Sequence, residues 1–295
     1  MSEAKRRQFA ERLARKELIS APGVYDLISV KLADRMGFDV LYMTGYGVVA
    51  SHLGLPDAGL ATYSDMVSRV GQMAAMSQTP LVADGDTGYG GLLNVQHTVR
   101  GYEQAGAVAI QLEDQEFPKK CGHMLGRRVV PVEDMVAKIR VAVDSRRDRN
   151  FKIIARTDAR TTLGLDEALR RAEAYLNAGA DLLFIESPES VEEMRRIGRT
   201  FDVPLIANMV EGGRTPVLDA ASLQEIGYRL AIFPALGFLA AGAALEAAYA
   251  GLKAKGSSTA LDVRLYPFKD FSELMGFGWV AEFDEKYRGA DARKG

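Results

Sequence analysis

The stretch KIIARTDARTTLGLDEALRRAEAYLNAGADLLFIES, residues 152–187, decides the fold. It opens on an apolar run that ends in Arg156 and Asp158, and it closes on a second run ending in Glu186. Between them Leu165, Ala168, Leu169, Ala172 and Leu176 recur at helical spacing. Ala178-Gly179-Ala180 stands where that helix must stop, as a glycine C-cap would. Two continuously apolar strands joined by a helix imply a parallel pair buried on both faces.

Working outward, similar runs recur: ISAPGV (19–24), VLYMTG (40–45), PLVADGD (80–86), VAIQLED (108–114), PLIANM (204–209) and LAIFPA (230–235). With the first two they make eight strand candidates, and eight such units favour a closed (β/α)8 TIM barrel over an open doubly wound sheet. The expected architecture is α/β, one domain over residues 1–295 with a C-terminal helical extension. A helix is expected over Gly237–Lys255, followed by a turn at Gly256-Ser257-Ser258-Thr259. The aromatics beyond it, Phe268, Phe271, Phe277 and Trp279, need a partner surface on this subunit or a neighbour.

Composition narrows the function. With 295 residues and 47% hydrophobic content the chain can bury a substantial core. A net charge of −2 gives no basic field to attract nucleic acid or an anionic membrane, so small-molecule chemistry is expected. One cysteine makes neither an intramolecular disulfide nor a thiolate zinc site, which fits a reducing cytoplasm. The N-terminus has no signal-peptide core, and no run reaches the roughly 18 apolar residues of a membrane span.

In a barrel of this type functional residues gather at the C-terminal strand ends. The polar residues there are Thr44-Gly45-Tyr46, Asp84, Asp86, Glu113, Asp114, Arg156, Asp158, Glu186 and Asn208. Asp84 and Asp86, at i and i+2 of one strand end, are placed to point the same way. Convergent carboxylates without a histidine cluster suit a hard cation, Mg2+ or Mn2+; the alternative is an ordinary acidic turn. Arg156 offers a planar fork for a substrate carboxylate, or an internal ion pair with Asp158 or Glu186. In KKCGH (119–123) the two lysines and a protonated His123 would favour the thiolate of Cys121, a nucleophile, proton donor or bystander. His52 and His97 read as structural and solvated. The glycines at 45 and 47 form only an incomplete nucleotide motif.

Taken in order, TGYG (44–47), GLPDAG (54–59), DGDTGYGG (84–91), QLEDQ (111–115), PKKCGH (118–123), ARTDAR (155–160), FIESP (184–188) and ANMVEGG (207–213) resemble the isocitrate lyase and phosphoenolpyruvate mutase superfamily. The likeness is strongest to its short lyase branch, that of the 2-methylisocitrate and 2,3-dimethylmalate lyases and the petal death protein. It implies a barrel whose last helix is exchanged between subunits, in a homotetramer built as a dimer of dimers. By the same resemblance Asp84 and Asp86 hold Mg2+, while Asp57, Glu113 and Asp114 organise its waters. Thr44, Gly45 and Tyr46 receive the oxo-acid carboxylate. Gly122, Arg156, Glu186 and Asn208 line the substrate, Cys121 is the acid on a gating loop, His123 holds or tunes it, and Tyr42 is a candidate base. The methylisocitrate enzymes carry Ser-Gly-Gly where this chain has Thr-Gly-Tyr.

The implied reaction cleaves a 2-hydroxydicarboxylate, a 2-alkylmalate or 2-methylisocitrate, into pyruvate or a near homologue and a second carboxylate, with the enediolate protonated by the thiol. The alternatives are an oxaloacetate decarboxylase or hydrolase, a phosphonomutase on the same scaffold, and a non-catalytic small-acid binder. The segment MLGRRVVP (124–131) is expected to cap the pocket, with Arg127 and Arg128 either meeting a further carboxylate or solvated.

Overall fold

A computed structural model describes residues 2–122, 124, 126–259 and 261–291, with the side chains of 289–291 left aside. His123 therefore lies outside the described residues. The chain divides into two compact units, Met1–Phe238 and Leu239–Gly295.

The first unit is built on eight strands: β1 Ile19–Val24, β2 Leu41–Met43, β3 Leu81–Asp84, β4 Ala109–Glu113, β5 Lys152–Thr157, β6 Leu182–Ile185, β7 Ile206–Asn208 and β8 Leu230–Phe233. Every candidate run supplies one. All pair in parallel, in the order β6-β5-β4-β3-β2-β1-β8-β7. A parallel bridge between Leu183 and Leu205 joins the two ends, and the Leu183 N–H donates to Pro204 O at 3.1 Å. The expected (β/α)8 barrel is thus closed, and nearly every strand residue is buried.

Burial on both strand faces produces two apolar cores. Ile19, Tyr42, Val82, Ile154, Phe184, Ile206 and Ile232 fill the lumen. The larger core, including Met43, Val70, Val99, Ile139, Ala172 and Met194, lies between strands and helices. The helix Leu165–Asn177 forms as its spacing predicts, and its apolar stripe of Ala168, Leu169, Ala172 and Tyr175 is buried. Gly179, at φ +105, turns the chain into β6.

One element was not expected. Residues Ser2–Ala14 form a helix that adds Phe9 and Leu13 to the lumen core. Lys5 donates to the carbonyls of Ala74 and Ser77, and Arg6 to Glu103 O at 3.1 Å, both just before strands β3 and β4 begin. This helix closes the N-terminal end of the barrel, leaving the C-terminal end for chemistry. Mixed charge hid it, because only two of its thirteen residues, Phe9 and Leu13, are strongly apolar.

The second unit holds most of the helix Leu236–Lys255, together with the helices Phe268–Met275 and Phe277–Asp291. Phe268, Phe277 and Trp279 are exposed, as are Leu245 and Tyr249. Among the described residues no helix is long and apolar enough to cross a membrane.

Candidate active site

The polar strand ends converge as expected, and their surroundings can be built residue by residue. Asp84, the last residue of β3, accepts from the Asp86 N–H at 3.1 Å and from Gln111 Nε2 at 3.2 Å. Gln111 in turn accepts the Tyr42 hydroxyl at 2.9 Å, so a phenol–amide–carboxylate chain crosses the lumen. Burial and the charge of Asp84 push the Tyr42 pKa well up. A phenol so placed donates its hydroxyl hydrogen to Gln111, and the base expected of Tyr42 would act as the phenolate. Beyond Asp84 the backbone turns through Asp86, at φ +46, a left-handed conformation that costs energy in a non-glycine residue.

Lys119 reaches into these acids. Its Nζ pairs with Asp57 and lies 2.7 Å from Asp86 Oδ1, and its side chain is only 5% exposed. Burial disfavours the ammonium, but Asp86, Asp57, Glu113 and Asp84 outweigh it and hold its pKa well above the ordinary lysine range. Sequence reasoning credited Lys119 only with tuning the thiol.

Arg156, the last residue but one of β5, sets its fork on Asp158, Nε to Oδ2 at 2.9 Å and Nη2 to Oδ1 at 3.0 Å. Nη2 also stands 3.2 Å from Glu186 Oε2, and Nε 3.5 Å from Glu113 Oε2. The internal ion pairs weighed from sequence therefore both exist, and they aim the guanidinium at the mouth of the barrel. Asn208 Nδ2 donates to Glu186 Oε2 at 3.0 Å, joining β7 to the same network. Arg127, whose side chain is fully buried, pairs with Asp158 at Oδ1, the oxygen that also takes Arg156 Nη2, and donates to Thr161 Oγ1. Arg128 beside it is 78% exposed and pairs with Glu116.

Asp114 does not join the acids. It accepts from Thr157 Oγ1 and Tyr175 OH, each at 2.7 Å, and from the Asp158 N–H at 2.9 Å, while Arg171 stands 3.2 Å away. It belongs to the packing of the helix Leu165–Asn177 against β4 and β5, a correction to the water-ordering part expected of it.

Gly45 and Tyr46 begin a helix, Gly45–Leu53. Thr44 is its N-cap and accepts from the Gly47 N–H at 3.5 Å. A Cβ on Gly45 would stand 2.6 Å from Asp84 Oδ2, so this helix N-terminus lies directly against the acid cluster. Its first-turn amides and its dipole favour an anion. Tyr46 is half-exposed, with its ring 5.1 Å from that of Phe238.

The segment carrying Cys121 folds across the mouth. Gln115 clamps its base, donating Nε2 to Lys120 O at 2.8 Å and accepting the Lys120 N–H at 2.9 Å. The Cys121 N–H donates to Asp57 O at 3.2 Å. Gly122 sits on the Arg156–Glu186 pair so closely that a Cβ would fall 2.3 Å from Arg156 Nη2. Ser187 Oγ donates to Gly122 O at 3.0 Å. Cys121 is half-buried, and His52 and His97 are exposed on helices away from these contacts.

Six carboxylates, of Asp57, Asp84, Asp86, Glu113, Asp158 and Glu186, thus face three cations, Lys119, Arg127 and Arg156. The excess negative charge shows in the acids. Burial, with the charge of Asp86, pushes Asp84 up to about 6. Burial also raises Asp57 and, despite Arg156, lifts Glu113 well above the carboxylate range. Among the described residues no three acidic, imidazole or thiol groups form a ready-made metal shell. Mg2+ does not need one, because it binds through one or two carboxylates and keeps several waters. Asp86 Oδ1, close to Lys119 but outside hydrogen-bonding geometry, and Glu113 Oε1 are buried oxygens without a hydrogen-bond partner. A hard divalent cation fits that donor set and that charge excess.

Comparison with known proteins agrees with this architecture. Residues 9–253 match the family described as phosphoenolpyruvate phosphomutase. The chain is 48% identical to 2,3-dimethylmalate lyase of Eubacterium barkeri, covering 94% of this chain and 96% of that one. It superposes on oxaloacetate acetylhydrolase in complex with the inhibitor 3,3-difluorooxalacetate with a TM-score of 0.90 and 36% identity, over 97% of each chain. Phosphonopyruvate hydrolase in complex with oxalate and Mg2+ gives a TM-score of 0.87 and 30% identity, over 96% of this chain and 99% of that one. A closed parallel barrel with an acid cluster and the Lys119–Gly122 segment at its mouth, matched over nearly its whole length, belongs to the phosphoenolpyruvate phosphomutase family of the isocitrate lyase/PEP mutase superfamily.

Proposed function

We propose that the protein is a Mg2+-dependent carbon–carbon lyase acting on a 2-hydroxydicarboxylate, a 2-alkylmalate such as 2,3-dimethylmalate, or 2-methylisocitrate. The products are a 2-oxo acid, pyruvate for these substrates, and a second carboxylate. One observation carries the reading: the loop bearing Cys121 lies over the acid cluster, with Lys119 among its carboxylates and Gly122 against Arg156 and Glu186. The 48% identity to 2,3-dimethylmalate lyase supports it.

Asp84 and Asp86 are the residues that would hold the ion, with Asp57 and Glu113 ordering its waters. Bound there, Mg2+, or Mn2+ in its place, supplies Lewis acidity toward the oxygens of the hydroxy acid. The amides of Gly45 and Tyr46 at the helix N-terminus take the carboxylate next to the hydroxyl-bearing carbon. Arg156, oriented by Asp158, offsets the negative charge that develops as the C2–C3 bond breaks. Tyr42, acting as the phenolate, takes the C2 hydroxyl proton as the electron pair of that bond passes to C3, and Cys121 Sγ–H returns a proton there. Gly122 lets the loop approach closely enough to exclude water from the enediolate. Glu186 and Asn208 fix the position of Arg156. Gln111 joins Tyr42 to Asp84.

The reading includes the cytoplasmic setting and the homotetramer that the resemblance implies, as a single barrel domain whose last helix is exchanged between subunits. The exposed Phe268, Phe277 and Trp279 support a partner surface there. A second reading, hydrolysis or decarboxylation of oxaloacetate on the same acids, is favoured by the TM-score of 0.90 to oxaloacetate acetylhydrolase.

Incubating the Mg2+-loaded protein with 2,3-dimethylmalate, 2-methylisocitrate and oxaloacetate, and following 2-oxo acid and oxalate release, separates them. Pyruvate from either alkyl acid supports the lyase. Oxalate or pyruvate from oxaloacetate alone supports the second reading, and no product from any of the three removes both.

A further inference from the structure

Ser187 follows Glu186 at the end of β6, is fully buried, and holds φ +58, a conformation unfavourable for a residue with a Cβ. Its N–H donates to Glu186 Oε1 at 2.8 Å. Its hydroxyl lies within reach of two acceptors, Gly122 O at 3.0 Å on the Cys121 loop and the same Glu186 Oε1 at 3.1 Å. A serine hydroxyl has one proton and serves one acceptor at a time.

We propose that Ser187 is an exchangeable latch for the Cys121 loop, its proton directed to Gly122 O when the loop covers the site and to Glu186 when it lifts. The exchange leaves no buried hydroxyl unsatisfied in either state, which removes a penalty that would otherwise oppose opening. Glu186 Oε1 keeps the Ser187 N–H throughout, so the Arg156–Glu186 pair is not disturbed by the exchange. The strained backbone is what brings both the N–H and the hydroxyl of one residue to bear on the neighbouring carboxylate. Ser187 is thus a positioning residue, acting on the reaction through Cys121. It rests on the lyase reading only for the kinetic part of its test.

Two variants separate hydroxyl from backbone. Ser187→Ala removes the hydroxyl and keeps the strain, whereas Ser187→Gly removes both. The primary readout is the rate at which iodoacetamide alkylates Cys121, the only cysteine, in folded Mg2+- and oxalate-loaded protein. Both variants should be alkylated about three- to tenfold faster than the parent, the ratio expected for one lost net hydrogen bond. With the substrate that the product screen identifies, kcat should fall while KM stays within about twofold, because closure is lost and substrate contacts remain. Parent-like alkylation in either variant overturns the latch, as does acceleration in the glycine variant alone. A parent enzyme without turnover would count against the lyase reading and leave the alkylation result to decide the latch.

Discussion

Lys119 Nζ stands 2.7 Å from Asp86 Oδ1, so a buried ammonium from the segment that carries Cys121 occupies the middle of the acid cluster. The same side chain pairs with Asp57, and this ties loop position to the charge state of the cluster. Removing it leaves buried carboxylates short of a counter-charge. Lys119→Met should therefore destabilise the metal-free protein by about 3 kcal/mol, the scale for breaking a buried pair. Mg2+ should raise the melting temperature of this variant by more than that of the parent, measured by calorimetry over a Mg2+ titration. Equal shifts would show that the ammonium and the divalent cation do not share these acids.

The raised pKa of Asp84 sets a pH dependence with a definite sign. Its folded value is about 6 against an ordinary 3.8, so between these the folded protein holds a proton that the unfolded chain has lost. Its contribution to stability therefore grows as pH falls through 6 and is complete below 3.8. Metal binding runs the other way, since it needs the carboxylate ionised. The Mg2+-induced melting shift should be clearly smaller at pH 5 than at pH 7.5, and Asp84→Asn should remove most of that difference.

Gly122 is required by space. A methyl group at this position would fall 2.3 Å from Arg156 Nη2 and 2.9 Å from Glu186 Oε2, so the loop or the guanidinium must shift. Gly122→Ala should lower kcat by about a hundredfold, the scale of an ångström-sized misplacement. Its denaturation midpoint should stay near that of the parent, because the clash lies at the mouth of the barrel and outside either core. Parent-like kcat would show that the loop does not close in this way during turnover.

Arg127 and Arg128 are neighbours with opposite fates. Arg127 has no exposed side-chain surface and shares Asp158 with Arg156, whereas Arg128 is 78% exposed. Urea denaturation should find Arg127→Met destabilised by about 3 kcal/mol and Arg128→Ala within about 0.5 kcal/mol of the parent.

That contrast shows how far the sequence was legible. All eight strands were readable because each is a continuous apolar run, and Glu113, Arg156 and Glu186 reach the mouth because each stands at the end of one. Strand parity also held the answer for Asp114. Successive side chains alternate faces, so with Glu113 inward its neighbour must point to the helices. Parity gave less for Asp86, because its left-handed backbone ends the alternation after Asp84. The helix at Gly45 was masked by its two glycines, which read as an incomplete nucleotide motif. Lys119, Gln111 and Ser187 carried no signal of their own, since each works only through a partner far away in the chain.

The most direct test of the account is the fate of Cys121→Ser. With Mg2+ and the best alkylmalate or methylisocitrate substrate, in D2O, the parent should release pyruvate together with a carboxylate that carries one deuterium at the carbon released from C3. The variant should bind oxalate as tightly as the parent and cleave at least about a hundredfold more slowly, the low end for losing a positioned acid. Undiminished cleavage by the variant would contradict the assignment of the thiol as the proton donor, and with it the role given to the loop over the barrel mouth.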